Sequence, residues 1–157
     1  MLTLVRIRLN TPLLGDLSPG RDGIRRFRKE GDMVLINEQT WREQFTQAAG
    51  EAHMLVNTEA ICPPRTLLPA SYHIYTRHYS QVKLDYFESF RKGTVLNMTF
   101  MLRENLPKAP TLEQFKTLLS LVGTWLGLSP WGSKFGYGRF EVMDVHEIAA
   151  NSTEISE

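Results

Sequence analysis

Alternation of apolar and polar residues at the start of the chain predicts a strand over residues 2–9. Because successive side chains of a strand point to opposite sides, the two faces of this strand differ in character. The apolar face carries Val5, Ile7 and Leu9, and the other face carries Arg6 and Arg8. We expect the strand to end before Pro12, which has no backbone N–H to donate to a sheet.

The same alternation recurs in the second half of the chain. Residues 82–88 and 94–102 predict a hairpin of two paired strands, and Gly93 in the connection is free to adopt a positive φ angle. A last strand is expected at about residues 137–146, after a glycine-containing loop.

Apolar residues at helical spacing predict a first helix over residues 38–54. Its apolar stripe consists of Trp41, Phe45, Ala48, Ala49 and Ala52. Two N-terminal caps are compatible with the sequence: Asn37, or Thr40 in a capping box with Glu43.

A second helix is expected to begin at Thr111, which forms a capping box with Gln114. Its broad apolar face consists of Phe115, Leu118, Leu119, Val122, Trp125 and Leu126. Gly127 is placed to end this helix, since glycine adopts the left-handed conformation that helix ends favour.

The predicted order is strand, helix, hairpin, helix, strand. This βαββαβ order is typical of the ferredoxin-like α+β fold, an antiparallel sheet with two helices on one face. Residues 13–36 and 55–80 do not fit the pattern and are interpreted as loop insertions, the first of them long, mobile and basic. We expect a single domain over residues 1–150 and a frayed tail over residues 151–157.

Composition narrows the class of protein. The chain has 157 residues, of which 42% are hydrophobic and 22% charged, as in ordinary globular domains. Cys62 is the single cysteine, which excludes an internal disulfide framework and a cysteine-based zinc cluster. No apolar run reaches the roughly 20 residues of a membrane span, and arginines interrupt the first apolar run. The expectation is a cytoplasmic protein without a cofactor and without a membrane partner.

The charge distribution is more informative than the net charge of +1. Arginine outnumbers lysine twelve to six, and arginine is the better fork for phosphate oxygens. The basic segment, residues 21–29, has the sequence RDGIRRFRK. A charge run alone is more often a solvated surface, so this segment needs support from elsewhere in the chain.

That support comes from the glycine-rich loop, GLSPWGSKFGYGRFEV, at residues 127–142. An apolar helix, a glycine, a basic stretch and then glycine-aromatic-glycine-arginine before a strand resembles the C-terminal loop of the RAMP superfamily, the RNA-binding proteins of CRISPR systems. LNTPLLG at 9–15, residues 22–47, and YFESFRKGTVL at 86–96 are similar to other segments of its backbone subunits.

The resemblance implies an RNA-binding subunit of a CRISPR-type ribonucleoprotein that associates with sibling subunits or with itself. Single-stranded RNA is expected to bind the basic segment and the glycine-rich loop, with arginines on phosphates and Phe27 stacked on a base. The expected contacts are Arg21, Arg25, Arg26, Phe27, Arg28, Lys29, Gly132, Lys134, Gly136, Gly138 and Arg139. Aromatic and basic residues at 72–79 offer a second stacking surface.

Two alternatives remain open. The first is an endoribonuclease of the same fold, for which the resemblance suggests Asp22 as a metal-binding carboxylate or a histidine as a base on a 2′-hydroxyl, with His53 and His78 as candidates. For each of these three residues, a structural role is the simpler interpretation. The second alternative is an assembly protein that uses its sheet for protein contacts alone.

Overall fold

The computed structural model describes residues 1–31, 33–64, 66–69, 78–82, 85–129 and 136–148. Its strands are β1 (Leu2–Leu9), β2 (Leu13–Leu14), β3 (Ile24–Arg25), β4 (Arg28–Glu30), β5 (Met33–Leu35), β6 (Ile61–Cys62), β7 (Thr66–Pro69), β8 (His78–Val82), β9 (Asp85–Phe90), β10 (Val95–Leu102) and β11 (Phe140–Ile148). Its helices are α1 (Glu38–Glu51) and α2 (Leu112–Leu121), with a 3-10 turn at Thr58–Ala60 and a π-helical turn at Val122–Leu126.

Within these residues the strands form two sheets. The main sheet has the order β11-β1-β10-β7-β5-β4, and β6 also pairs with β10. Both helices cover one face of it, where Trp41, Phe45 and Phe115 contact the ring of Phe100 on β10. The fold is therefore α+β with an antiparallel sheet and two helices, consistent with the predicted ferredoxin-like fold.

The central strand β1 confirms the alternation predicted from the sequence. Val5 and Ile7 are buried beneath the helices, whereas Arg6 and Arg8 are exposed on the uncovered face. On the neighbouring strand β11, Val142 pairs with Ile7 and Asp144 pairs with Arg6, so the residue between them, Met143, has no partner in the ladder. This irregularity is a β-bulge, which adds one residue to the outer strand.

The predicted hairpin is wrong in its pairing, although both of its strands exist. The strand β10 pairs with β1, β6 and β7, whereas β9 pairs with β8, β2 and β3 in the second sheet. The turn at Arg91–Gly93, with Gly93 at φ 88°, therefore carries the chain from one sheet to the other. The sequence shows the alternation within each strand but not the partner of that strand.

The two insertions are present, but they contain strands where the sequence predicts loops. Residues 13–36 include β2 to β5, two of which extend the main sheet and two of which join the second sheet. Residues 55–80 include β6, β7 and the first part of β8, with residues 65 and 70–77 outside the described residues. These strands are two to five residues long, which is too short for a periodic pattern.

The helix ends follow the predicted chemistry. Asn37 rather than Thr40 caps α1, because its side-chain oxygen accepts a hydrogen bond from the Gln39 N–H at 2.9 Å. Thr111 and Gln114 form the full capping box of α2, as predicted.

The exposure of Trp125 differs from the prediction that it belongs to the apolar face of the second helix. The Gly127 N–H donates to the Val122 carbonyl oxygen, an i to i+5 bond that widens the last turn. The wider turn changes the phase of the side chains that follow it, and 63% of Trp125 is exposed. Gly127 ends the turn with φ 78°, as its position predicts.

Candidate nucleic-acid interface

The basic segment crosses from the second sheet to the edge of the main sheet. Its β3 residues pair with Tyr86 and Phe87 of β9, and its β4 residues pair with β5. Arg21 and Arg28 are exposed. The Arg25 guanidinium lies over the ring of Phe87, 5.9 Å from the ring centre. The segment is therefore held in place at both ends by backbone pairing.

Phe27 belongs to the hydrophobic core, contrary to the prediction that it stacks on a base. Only 4% of the residue is exposed, and its ring lies 5.2 Å from that of Phe90. Moving an aromatic ring from water into apolar surroundings lowers the free energy of the folded protein. The buried ring of Phe27 therefore fixes the basic segment to the hydrophobic core. Tyr86, which is 49% exposed and pairs with Ile24, is the exposed aromatic residue beside the basic segment.

Two charges of the basic segment are held by internal carboxylates. The Lys29 Nζ lies 2.7 Å from an oxygen of Glu88, whose side chain is 1% exposed and also accepts a hydrogen bond from the Phe27 N–H at 3.1 Å. Arg26 pairs with Asp22 through both of its terminal nitrogens. The ion pair with Arg26 and a hydrogen bond from the Ile24 N–H lower the pKa of Asp22 to about 2.

Between residue 129 and the start of β11, the described part of the glycine-rich loop is residues 136–139, which we call the glycine turn. Gly132 and Lys134 lie outside the described residues. Gly138 has φ 77°, and a Cβ there would lie 2.5 Å from the Ser129 backbone nitrogen. Its N–H donates to the Pro12 carbonyl oxygen and its own carbonyl accepts from Leu128, so Gly138 joins three segments of backbone.

Gly136 differs from Gly138 because the space around it is open. Its φ angle is 87°, and the nearest atoms to a Cβ at this position belong to the Arg139 guanidinium, at 3.9 Å. Arg139 is fixed at its backbone, where its N–H donates to the Thr11 hydroxyl at 2.9 Å and its carbonyl accepts from Asn10 at 2.8 Å. Its Nε is buried and has no hydrogen-bond partner among the described residues.

The basic segment and the glycine turn approach each other at a small apolar cluster. Leu14 and Phe87 form this cluster, and Tyr137 of the glycine turn packs against it. Arg25 lies over the same Phe87 ring. Two stretches that are more than a hundred residues apart in sequence therefore share one anchoring point.

The candidate catalytic residues lie in three different segments of the chain. Asp22 is engaged by Arg26, and His53 is an exposed residue with φ 52° directly after α1. His78 lies in β8, where its backbone pairs with Ser89. Among the described residues no group of three or more histidine, cysteine, aspartate or glutamate side chains is suited to hold a metal ion.

Sequence reasoning missed a polar group on the uncovered face of the main sheet. His146 Nδ1 lies 3.0 Å from a carboxylate oxygen of Asp144, and Arg6 stands beside Asp144 on the paired strand. Arg6 also donates to the Asn97 side chain at 3.0 Å. Alternation along β1 already marks Arg6 as outward-facing, but nothing in the sequence indicates that His146 faces the same way, because the bulge at Met143 shifts the phase of β11.

Comparison with known proteins shows that the fold of this chain is similar to that of a solved structure. No protein-family model matches the chain, and no curated protein matches it in sequence. A solved chain from a structure described as "Type IV-B CRISPR Complex" is similar to it with a TM-score of 0.59 and 14% sequence identity. The match covers 98% of this chain and 93% of that one. In the described part of the chain no helix is long and apolar enough to cross a membrane.

Proposed function

We propose that the chain is an RNA-binding subunit of a CRISPR-type ribonucleoprotein, of the RAMP type, that associates with sibling subunits or with itself. The observation that carries the proposal is the approach of the basic segment and the glycine turn at Leu14 and Phe87. The likeness of fold to a chain of a CRISPR complex agrees with it.

The surface formed by the basic segment and the glycine turn is suited to bind phosphate oxygens. The guanidinium groups of Arg21, Arg28 and Arg139 supply charge, and the backbone at Gly136 is open to approach because no Cβ stands in the way. The exposed ring of Tyr86, rather than the buried ring of Phe27, stacks on a base in this proposal. Such contacts follow the sugar–phosphate chain and carry little preference for sequence.

The test is binding of a labelled single-stranded RNA, followed by fluorescence anisotropy at several salt concentrations. Affinity is expected to fall with salt, with a log–log slope of about −0.7 for each phosphate contacted. Arg139→Gln is expected to reduce the slope by about 0.7. Lys116→Gln removes one charge from α2, outside the basic segment and the glycine turn, and is the matched control. Affinity that does not depend on salt contradicts the proposal.

A second candidate function is RNA cleavage, which the pair of His146 and Asp144 beside Arg6 favours. In this hypothesis His146 accepts the proton of a 2′-hydroxyl, the 2′-oxygen attacks the adjacent phosphorus, and the 5′-oxygen leaves with a proton from water. Incubation of end-labelled RNA with the wild type and with His146→Ala tests it, and His53→Ala tests the other candidate base, so that loss of cleavage in His146→Ala alone supports this candidate. Intact RNA in the wild-type sample removes this candidate.

A further inference from the structure

A cleft of about 420 Å³ lies between the β4–β5 hairpin, the start of α1, and the segments that follow β6 and β10. Its lining includes three arginines, one glutamate and the single cysteine of the chain: Arg28, Arg42, Arg103, Glu38 and Cys62. Its volume falls in the range of pockets that hold a small ligand or a nucleotide. We call it the arginine cleft.

Three parts of the fold each contribute one arginine to the lining of the arginine cleft. Arg28 is in β4, Arg42 in α1, and Arg103 directly follows β10. Among the described residues Glu38 is the one carboxylate in the lining, and it accepts hydrogen bonds from two nitrogens of Arg42 at 2.9 and 2.7 Å. The lining therefore carries an excess of positive charge, and like charges around one concave surface repel unless an anion enters.

One acidic group outside the lining reduces this excess. Asp16 attracts Arg28 and offsets part of its charge, and burial raises the pKa of the Asp16 carboxyl above its usual value. The first amides of α1 are not the source of attraction, because the Asn37 side chain already accepts from the Gln39 N–H. Recognition in the arginine cleft depends on the guanidinium groups, which match phosphate oxygens in pairs.

We propose that the arginine cleft binds phosphate groups of the same single-stranded RNA that crosses the candidate interface. The inference rests on the proposed function for its ligand, and it adds Arg42 and Arg103 to the binding surface. Arg28 makes the connection, because it belongs both to the basic segment and to the lining of the arginine cleft. The RNA strand then runs from the glycine turn along the basic segment into the arginine cleft.

Cys62 provides a local probe, because it lines the arginine cleft, is partly exposed and is the only cysteine of the chain. The rate at which iodoacetamide alkylates Cys62 is measured with no addition, with RNA and with pyrophosphate. At nine-tenths occupancy the rate is expected to fall about tenfold, since only the free fraction reacts. The double variant Arg42→Gln/Arg103→Gln is expected to need a higher ligand concentration for the same protection, whereas Lys116→Gln is expected to match the wild type.

Anisotropy on the same samples separates the two proposals. The double variant is expected to lower the salt slope of RNA binding by about 0.7, for the phosphate contact of Arg103, because Glu38 already balances the charge of Arg42. RNA that binds without protecting Cys62 overturns the arginine cleft and leaves the proposed function standing. Protection by pyrophosphate, lost in the double variant, in a protein that does not bind RNA supports the arginine cleft as a phosphate site and overturns the proposed function. A rate unchanged by either ligand overturns the arginine cleft.

Discussion

The basic segment and the glycine turn look like equal halves of one interface in the sequence, but the structure uses them differently. In the basic segment the aromatic ring is buried and the charges of Arg26 and Lys29 are held by carboxylates. In the glycine turn a single arginine, Arg139, stands beside an open glycine with its Nε unsatisfied by the described residues. The number of charges in a segment therefore overstates the charge it can offer to a ligand.

The two glycines of the turn should show the largest difference in stability. A methyl group at Gly138 would meet the Ser129 backbone, whereas one at Gly136 would meet only a movable side chain. Gly138→Ala is expected to lower the free energy of unfolding by about 2–5 kcal/mol, from overpacking and the positive φ together. Gly136→Ala, with the positive φ alone, is expected to cost about 1–2 kcal/mol. Urea denaturation measures both, and equal losses contradict this difference.

The buried carboxylate of Glu88 is expected to hold the basic segment to the protein. Glu88→Ala leaves the Phe27 N–H without its acceptor and Lys29 without its partner, so the free energy of unfolding should fall by about 1–3 kcal/mol. Glu104→Ala is the control, because Glu104 is exposed and contacts the N-terminal amine only at 3.8 Å. Thermal unfolding of the two variants gives the comparison, and an unchanged midpoint for Glu88→Ala speaks against this anchoring role.

Binding of RNA should distinguish held charges from available ones. The double variant Arg26→Gln/Asp22→Asn removes a pair of opposite charges and is expected to leave affinity within about twofold of the wild type, since exposed pairs contribute little to the net field. Arg139→Gln removes a single charge and is expected to weaken binding at low salt. If the double variant loses more affinity than Arg139→Gln, the assignment of roles within the interface is wrong.

The smallest expected effect is the acid titration of Asp22. Its pKa is lowered from the usual 3.8 to about 2 in the folded protein, so its contribution to stability is complete above 3.8 and is lost as the pH falls towards 2. Arg26→Gln should return the pKa towards 3.8 and flatten this part of the stability profile. An NMR titration of the Asp22 carboxyl carbon measures the shift, and a pKa that stays near 2 in the variant shows that Arg26 is not its cause.

Local patterns predicted the parts of the fold that depend on neighbours in sequence. The alternation along β1, the apolar stripe of α1 and the capping box at Thr111 each describe one element by itself, and the structure confirms all three. Pairing between distant strands has no such local signal, which is why β9 was assigned to the wrong sheet. Register is set by the hydrophobic face and the turn, not by strand composition.

The candidate interface was predicted only in part for the same reason. The sequence marks the arginines at 21–29, but Phe27 is flanked on both sides by arginine and gives no sign of burial. The carboxylate of Glu88 lies 59 residues beyond Lys29 in the sequence, so no local pattern links the two residues. The arginine cleft assembles Arg28, Arg42 and Arg103 from three separate elements, so no motif could describe it.

The bulge in β11 makes one position of the sheet dispensable. Met143 has no partner on β1, while Val142 and Asp144 on either side of it are paired with consecutive residues. A chain shortened by this residue keeps each remaining side chain of β11 on its own side, whereas removing a residue away from the bulge would turn over the side chains on one side of the deletion. Natural variation in the length of this strand should therefore concentrate at Met143.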